Sequence, residues 1–256
     1  MKKIIIQFII MFTIIAILFK TNDSLKLDIY ETSIYFIKNV IPSLFPIMII
    51  SIHLKHNVLN KNNNKILFFL LSTVTFSPSN ALITNDENII LYSSILNPFY
   101  SYFIIKNLLN SYISIKIVLT NFILNNIFVL IRTVKTPLNK MDIPKITLTK
   151  IIKQATENII NIFGITIFFC IVKNILVYIN IPKTIIIFFD VINGFKLIND
   201  INQFKIPLII LLNSFTGLSM LFQIKSINEK ISYKFIIKKL ILSFFTLILT
   251  LIIIYV

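Results

Sequence analysis

Two pairs of polar breaks and one acid interrupt otherwise apolar runs in this chain, and each is of a type that holds a solute or a proton inside lipid. Asn97-Pro98-Phe99 splits one run and Asn213-Ser214-Phe215 splits another, 213 − 97 = 116 positions later. In a bilayer an interrupted helix frees N–H and C=O groups that water cannot reach, so a break persists where it lines a cavity or binds a guest. Matched breaks in two halves of a chain point to a solute site near the midplane. An unwound segment also offers N–H donors and the positive end of a half-helix dipole, worth about 0.3 to 2 kcal/mol toward a carboxylate.

Asn97, Asn213, Ser214 and Thr216 supply neutral polar contacts beside Gly217, and Gln223 lies about two turns further on. Tyr92, Tyr100 and Phe215 are the candidates to stack on an aromatic ring. Ser79 and Asn80 at a first hairpin, with Asn193 and Gly194 at a second, complete the candidate solute contacts. The competing reading of these amides and hydroxyls is hydrogen bonding between helices, worth about 0.6 kcal/mol on average. Asp190 follows the apolar stretch 185–189, where a carboxylate costs at least about 2.5 kcal/mol at a helix centre. It is the candidate for a coupling proton or cation, against the alternative of a shallow, wetted hairpin tip.

Composition sets the solvent for these groups. The 256 residues are 56% hydrophobic with mean hydropathy +0.87, and 25 Lys+Arg stand against 10 Asp+Glu. The basic residues cluster at the ends of apolar runs, where they orient helices toward the cytoplasmic leaflet rather than bind nucleic acid. Cys170 is alone and sits in an apolar run, so neither a disulfide nor a cysteine metal cluster is available. His53 and His56 flank a basic loop without acids nearby and read as interfacial. Ile, Asn, Lys and Phe abound while glycine is limited to Gly164, Gly194 and Gly217, which draws attention to those three as breaks or close contacts.

The elements follow from segment lengths. An apolar run at 4–19 lacks a small-residue cleavage site and reads as a retained first helix. A second span covers 34–54, with Pro42 and Pro46 inside it, before a Lys-bearing loop at 55–65. The run 66–76 has 11 residues, about 16 Å of helix, half of what a bilayer core of about 30 Å requires. It predicts a re-entrant hairpin with its tip near Pro78. Spans at 89–109, broken at Asn97, and 112–131 complete the first half; spans at 155–179, 206–224 (broken at 213–217) and 235–256, with a second hairpin at 184–194, form the second. Lys116 and Lys173 read as snorkelling side chains, and Lys225, Lys230, Lys234, Lys238 and Lys239 mark a basic loop.

The expected fold is therefore an all-α polytopic membrane protein with two inverted repeats, re-entrant hairpins and broken helices. Its parts are an N-terminal helix and loop (1–29), a first repeat (30–133), a basic connector (134–151) and a second repeat (152–256). Three crossings per half place every basic loop on one face, the N-terminus in the cytoplasm and the C-terminus outside.

The motifs Phe163-Gly164, 190–194 and 215–219 followed by Gln223, with 42–46 and Asn97-Pro98 in the first half, resemble the YlbJ (SpoVV) family of sporulation integral membrane proteins, which carry the nucleoside-recognition or Gate domain. The resemblance covers roughly residues 30 to 230. The family's glycine-bearing first break reads 76–81 Phe-Ser-Pro-Ser-Asn-Ala here, and Ile95-Leu96 replaces its Thr-Ser. The resemblance implies a fold similar to concentrative nucleoside transporters and transport of dipicolinic acid across the outer forespore membrane during endospore formation. A nucleoside or nucleobase carrier is the alternative within that class; a membrane scaffold for spore-envelope assembly is the alternative outside it. No nucleophile motif, phosphate loop or carboxylate pair is present, so neither an enzyme nor a cofactor is expected. The expected partners are a small-molecule solute, the lipid bilayer, and a second copy or spore-envelope membrane proteins, with no nucleic acid.

Overall fold

Prolines and asparagines, rather than glycines, cut most of this chain into helices. The computed structural model describes residues 22–59, 77–135, 145–201 and 204–256, and residues 13, 16, 20, 69, 70 and 73 singly. The expected first helix at 4–19, the first arm of the first hairpin at 66–76 and most of the connector at 134–151 lie largely outside these residues. Helices α1 (Asn22–Tyr35) and α2 (Ile41–His53) are joined by the π-helical turn Phe36–Val40, and a second π-helical stretch, Leu54–Leu59, extends them. Pro42 has no N–H to reach back four residues, and the Ile41 N–H bonds the Phe36 carbonyl five residues back. A 3-10 turn (Ser79–Leu82) leads to α3 (Glu87–Ser93), α4 (Pro98–Leu108) and α5 (Ser111–Lys135). The second half holds α6 (Leu148–Tyr178), α7 (Lys183–Ile186), α8 (Val191–Ile198), α9 (Lys205–Phe215), α10 (Gly217–Ile227) and α11 (Lys234–Tyr255). Among the described residues there is no strand.

Five helical stretches are long and apolar enough to cross a bilayer: Leu25–Asn57, Ser111–Val134, Leu148–Tyr178, Lys205–Ile227 and Lys234–Tyr255. The shortest, 22 residues, is about 33 Å long, enough for a core of about 30 Å. This is the pattern of an integral membrane protein, and its surface agrees. On α11 the exposed residues include Ile237, Ile241, Phe244, Ile248 and Ile252, while Lys239, Ser243, Thr246 and Thr250 are buried. Both stripes follow the helical repeat, with the apolar one outward. The three buried hydroxyls bond carbonyls four residues back, so they cost little inside the bundle. Likewise α5 exposes Ile115, Leu119, Ile123 and Ile127 and buries Ser114, Asn121 and Asn125.

Helix α9 packs between α11 and α5, and α6 packs against α1, α2 and α10. One apolar cluster joins Leu96 to Ile187, Val191, Phe195 and Leu212, tying the first broken helix to the second hairpin. Polar contacts show which loops share an end of the bundle. Arg132 at the end of α5 pairs with Asp86 at 3.2 Å, and Glu87 accepts from Ser232 and, at 3.1 Å, from Lys238. Asn228 donates to the Thr84 carbonyl at 3.2 Å. At the opposite end Lys116 donates to the Ile253 carbonyl at 2.9 Å and Lys173 pairs with Asp28 at 2.7 Å.

Candidate functional site

The dipeptide Asn97-Pro98 builds the first break by ordinary helix-start chemistry. Proline at the first helical position disfavours helix in the residue before it, and Asn97 accordingly adopts φ −54°, ψ 123°. Its Oδ1 caps α4, accepting from the Phe99 and Tyr100 N–H groups at 2.9 and 3.4 Å. Four residues, 94–97, lie outside helix between α3 and α4. The turn that begins at Ser77 closes on this break: the Ser77 N–H donates to the Ile95 carbonyl at 3.2 Å. Asn80 reaches the same place, its Nδ2 donating to Ser93 Oγ at 2.8 Å, Ser94 Oγ at 3.3 Å and the Ile90 carbonyl at 3.4 Å.

The second break is a single residue. Thr216 lies between α9 and α10 in the left-handed region at φ 67°, a strained place for a β-branched side chain, and Gly217 follows at φ 76°. Here too the hairpin tip closes on the break: the Leu218 and Ser219 N–H groups donate to the Phe188 and Phe189 carbonyls, both at 2.8 Å. A Cβ on Gly217 would meet the Val191 nitrogen at 3.0 Å. Asp190 caps α8. Its Oδ2 accepts from the Asn193 N–H at 3.1 Å and Nδ2 at 2.8 Å, and its Oδ1 accepts from Ser219 Oγ at 2.9 Å.

The turns at 77–78 and 190–191 and both broken helices meet at one cavity of about 420 Å³. Ser77 and Pro78 come from the first tip, Leu96, Asn97 and Tyr100 from the first broken helix, Asp190 and Val191 from the second tip, and Ser219, Met220 and Gln223 from α10. The remaining wall is Tyr35, Asn39 and Ser43 with neighbours from the α1–α2 stretch, and Ile162 and Thr166 from α6. No protein-family model, curated protein or solved structure matches the chain.

The cavity's chemistry is polar, aromatic and nearly uncharged. Asp190 is the carboxylate of the described lining, which contains no Lys or Arg. Tyr35 donates to the Tyr100 hydroxyl at 2.6 Å, linking the first long helix to α4 across the chamber. Gln223 Nε2 donates to Thr166 Oγ1 at 3.1 Å, which leaves its carbonyl oxygen for a guest. Ser77 Oγ is buried with no hydrogen-bond partner among the described residues. No group of three or more metal-ligating side chains occurs among the described residues.

The candidate residues divide in two. Asn97, Gln223 and Asp190 face the cavity, as does Tyr100 of the proposed stacking aromatics. Asn80, Asn193, Thr216 and Gly217 shape the tips and breaks just behind it. Gly194 lies within α8, where a Cβ would sit 2.3 Å from the Ile187 carbonyl oxygen. Ser79 is buried in the 3-10 turn, its hydroxyl without a partner among the described residues. Asn213 and Ser214 are helical, within α9, so the second interruption comes later than their polarity suggests. Ser214 bonds the Ile210 carbonyl of its own helix at 3.0 Å, and the Asn213 carbonyl accepts from Asn121 of α5 at 3.4 Å. Of the other aromatics, Tyr92 stacks on Phe128 with ring centroids 5.2 Å apart and Phe215 packs on Phe188 at 6.0 Å.

Several wall residues escape a sequence reading. Tyr35, Asn39, Ser43 and Thr166 lie in helices that scan as plain spans, although Asn39 and Ser43, four apart on one helix face, form a readable signal. Lys239, assigned by sequence to a basic loop, is fully buried in α11. Gly164 marks neither break nor close contact: it sits inside α6 with nothing within 4 Å of a built Cβ.

Proposed function

We propose that this protein is a membrane carrier that moves a small aromatic solute by alternating access, with the cavity as its solute site and Asp190 as its proton or cation site. The convergence of two hairpin tips and two helix breaks on one chamber of about 420 Å³ carries this reading. A chamber of that size holds one small molecule. The element order supports inverted repeats: a long helix, a hairpin, a broken helix and a long helix occur in each half, with an odd number of crossings between corresponding elements. The shared end of Asp86, Arg132, Glu87 and Lys238 supports a single basic face, which the excess of Lys and Arg assigns to the cytoplasm, leaving the C-terminus outside.

Dipicolinic acid, the solute of the YlbJ (SpoVV) family that the motifs resemble, is the first candidate, with the outer forespore membrane as its setting. A dianion beside Asp190, with no Lys or Arg in the described lining, calls for protons or a cation to accompany it. The uncharged wall of Tyr35, Tyr100, Asn97, Thr166 and Gln223 favours, as a second reading, a nucleobase or nucleoside. Uptake of labelled dipicolinate and uridine into vesicles bearing the purified protein separates them. The first reading expects dipicolinate uptake that rises with an inward proton gradient and loses this dependence in Asp190→Asn. Uridine uptake alone selects the second, and uptake of neither by a correctly inserted protein removes the carrier reading in favour of a scaffold.

A further inference from the structure

Lys239 is a fully buried amine that makes no ion pair among the described residues. Its Nζ donates instead to two main-chain carbonyls, Ser94 at 2.6 Å and Leu91 at 3.2 Å. These are the carbonyls that α3 leaves open when Asn97-Pro98 starts a new helix. They form the negative end of a half-helix dipole, and unwound carbonyls with half-helix C-termini are the groups from which broken-helix membrane proteins build monovalent-cation sites. A second observation lies at the same place. Asn80, whose Nδ2 is committed to Ile90, Ser93 and Ser94, keeps its Oδ1 buried with no partner among the described residues.

We propose that Lys239 is a tethered cation: its ammonium fills, at the first break, a carbonyl site of the kind that takes a free monovalent cation, so that this break is held without sodium or potassium. Removing the side chain converts the site into one that binds a small free cation. The second break has no such ammonium: at the end of α9 the Leu212 carbonyl accepts from the Thr216 N–H at 2.9 Å and the Asn213 carbonyl from Asn121 Nδ2 at 3.4 Å. The inference holds whatever solute the cavity takes, and its test reads melting rather than transport.

Full-length protein in detergent is melted in sodium, potassium, choline or n-propylammonium chloride at equal ionic strength. Wild type is expected to melt at the same temperature in all four. Lys239→Ala is expected to melt about 5 °C or more lower in choline, and to recover at least half of that loss in sodium or in n-propylammonium, which replaces the deleted atoms. Lys239→Met, which fills the space with apolar atoms, is expected to stay low in every salt. An unshifted Lys239→Ala, a loss that no cation repairs, or a wild type stabilised by sodium as much as the variant overturns the proposal. Should Lys239→Ala not be recovered folded, Lys239→Gln decides: a melting temperature equal to wild type overturns the tethered-cation role, and a lowered one supports it.

Discussion

The two broken helices solve one problem with opposite charges. At the first, a stretch of four non-helical residues leaves carbonyls facing inward, and an ammonium from α11 meets them. At the second, the interruption is one left-handed residue, the Leu212 and Asn213 carbonyls at the end of α9 are met by the Thr216 N–H and Asn121 Nδ2, and the buried charge is a carboxylate capping the start of α8. Each charge sits at the helix end whose dipole favours it: the cation at the C-terminus of α3, the anion at the N-terminus of α8. A charge placed this way keeps its partners without a bulk counter-ion. The first break is closed by a cation, and the second keeps its acid in the cavity wall.

Backbone substitutions at the second hairpin and break should do the most damage. Gly194→Ala puts a Cβ 2.3 Å from the Ile187 carbonyl oxygen, main chain that cannot give way cheaply, and is expected to abolish recovery of monodisperse protein. Gly164→Ala, facing open space, is the control and should melt at or slightly above wild type. Smaller, and opposite in sign, Thr216→Gly should raise the melting temperature, since relief of left-handed strain, worth about 1–2 kcal/mol, exceeds the entropy cost of glycine, about 0.5–1 kcal/mol. A lowered value would mean that the Thr216 side chain holds the break. Asn97→Ala should cost about 0.5–2 kcal/mol through loss of the α4 cap, seen as a modest fall in melting temperature, while Asn97→Asp should retain stability. A neutral Asn97→Ala would show that Pro98 alone sets the first break.

The smallest effect belongs to the basic end. Burial pushes the Glu87 carboxyl up, but hydrogen bonds from Lys238 and Ser232 outweigh it and hold the group below its ordinary value. A depressed folded value stabilises above the unfolded one, about 4.3, and is lost as pH falls through the folded one. Glu87→Gln should therefore narrow its gap to wild type between pH 5 and pH 3, by the modest amount typical of about surface ion pairs.

Much of the architecture is legible in the sequence because bilayer thickness translates directly into run length. The spans expected at 112–131, 155–179 and 235–256 are helices Ser111–Val134, Leu148–Tyr178 and Lys234–Tyr255. The first break is legible because Asn-Pro acts locally. The second is displaced: the Ser214 hydroxyl bonds the Ile210 carbonyl within α9, Asn213 stays helical with its side-chain oxygen buried and unpartnered among the described residues, and what ends α9 is a left-handed Thr216 that no local rule demands. Lys239 is hidden by its neighbours: beside Lys234 and Lys238 it scans as part of a basic loop, and only the packing of α11 over α3 reveals the carbonyls it serves. The cavity wall from Tyr35, Asn39 and Thr166 depends on which faces of long helices turn inward, a tertiary fact.

Accessibility of the convergence point tests the account most directly. In a Cys170→Ala background, single cysteines replacing Ser77, Asn97 and Gln223 should react with a membrane-impermeant thiol reagent in native vesicles, and cysteines replacing Ile123 and Ile241 on the lipid face should not. If the three cavity positions stay as unreactive as the lipid-facing pair from both sides of the membrane, the chamber is sealed packing and the carrier account fails.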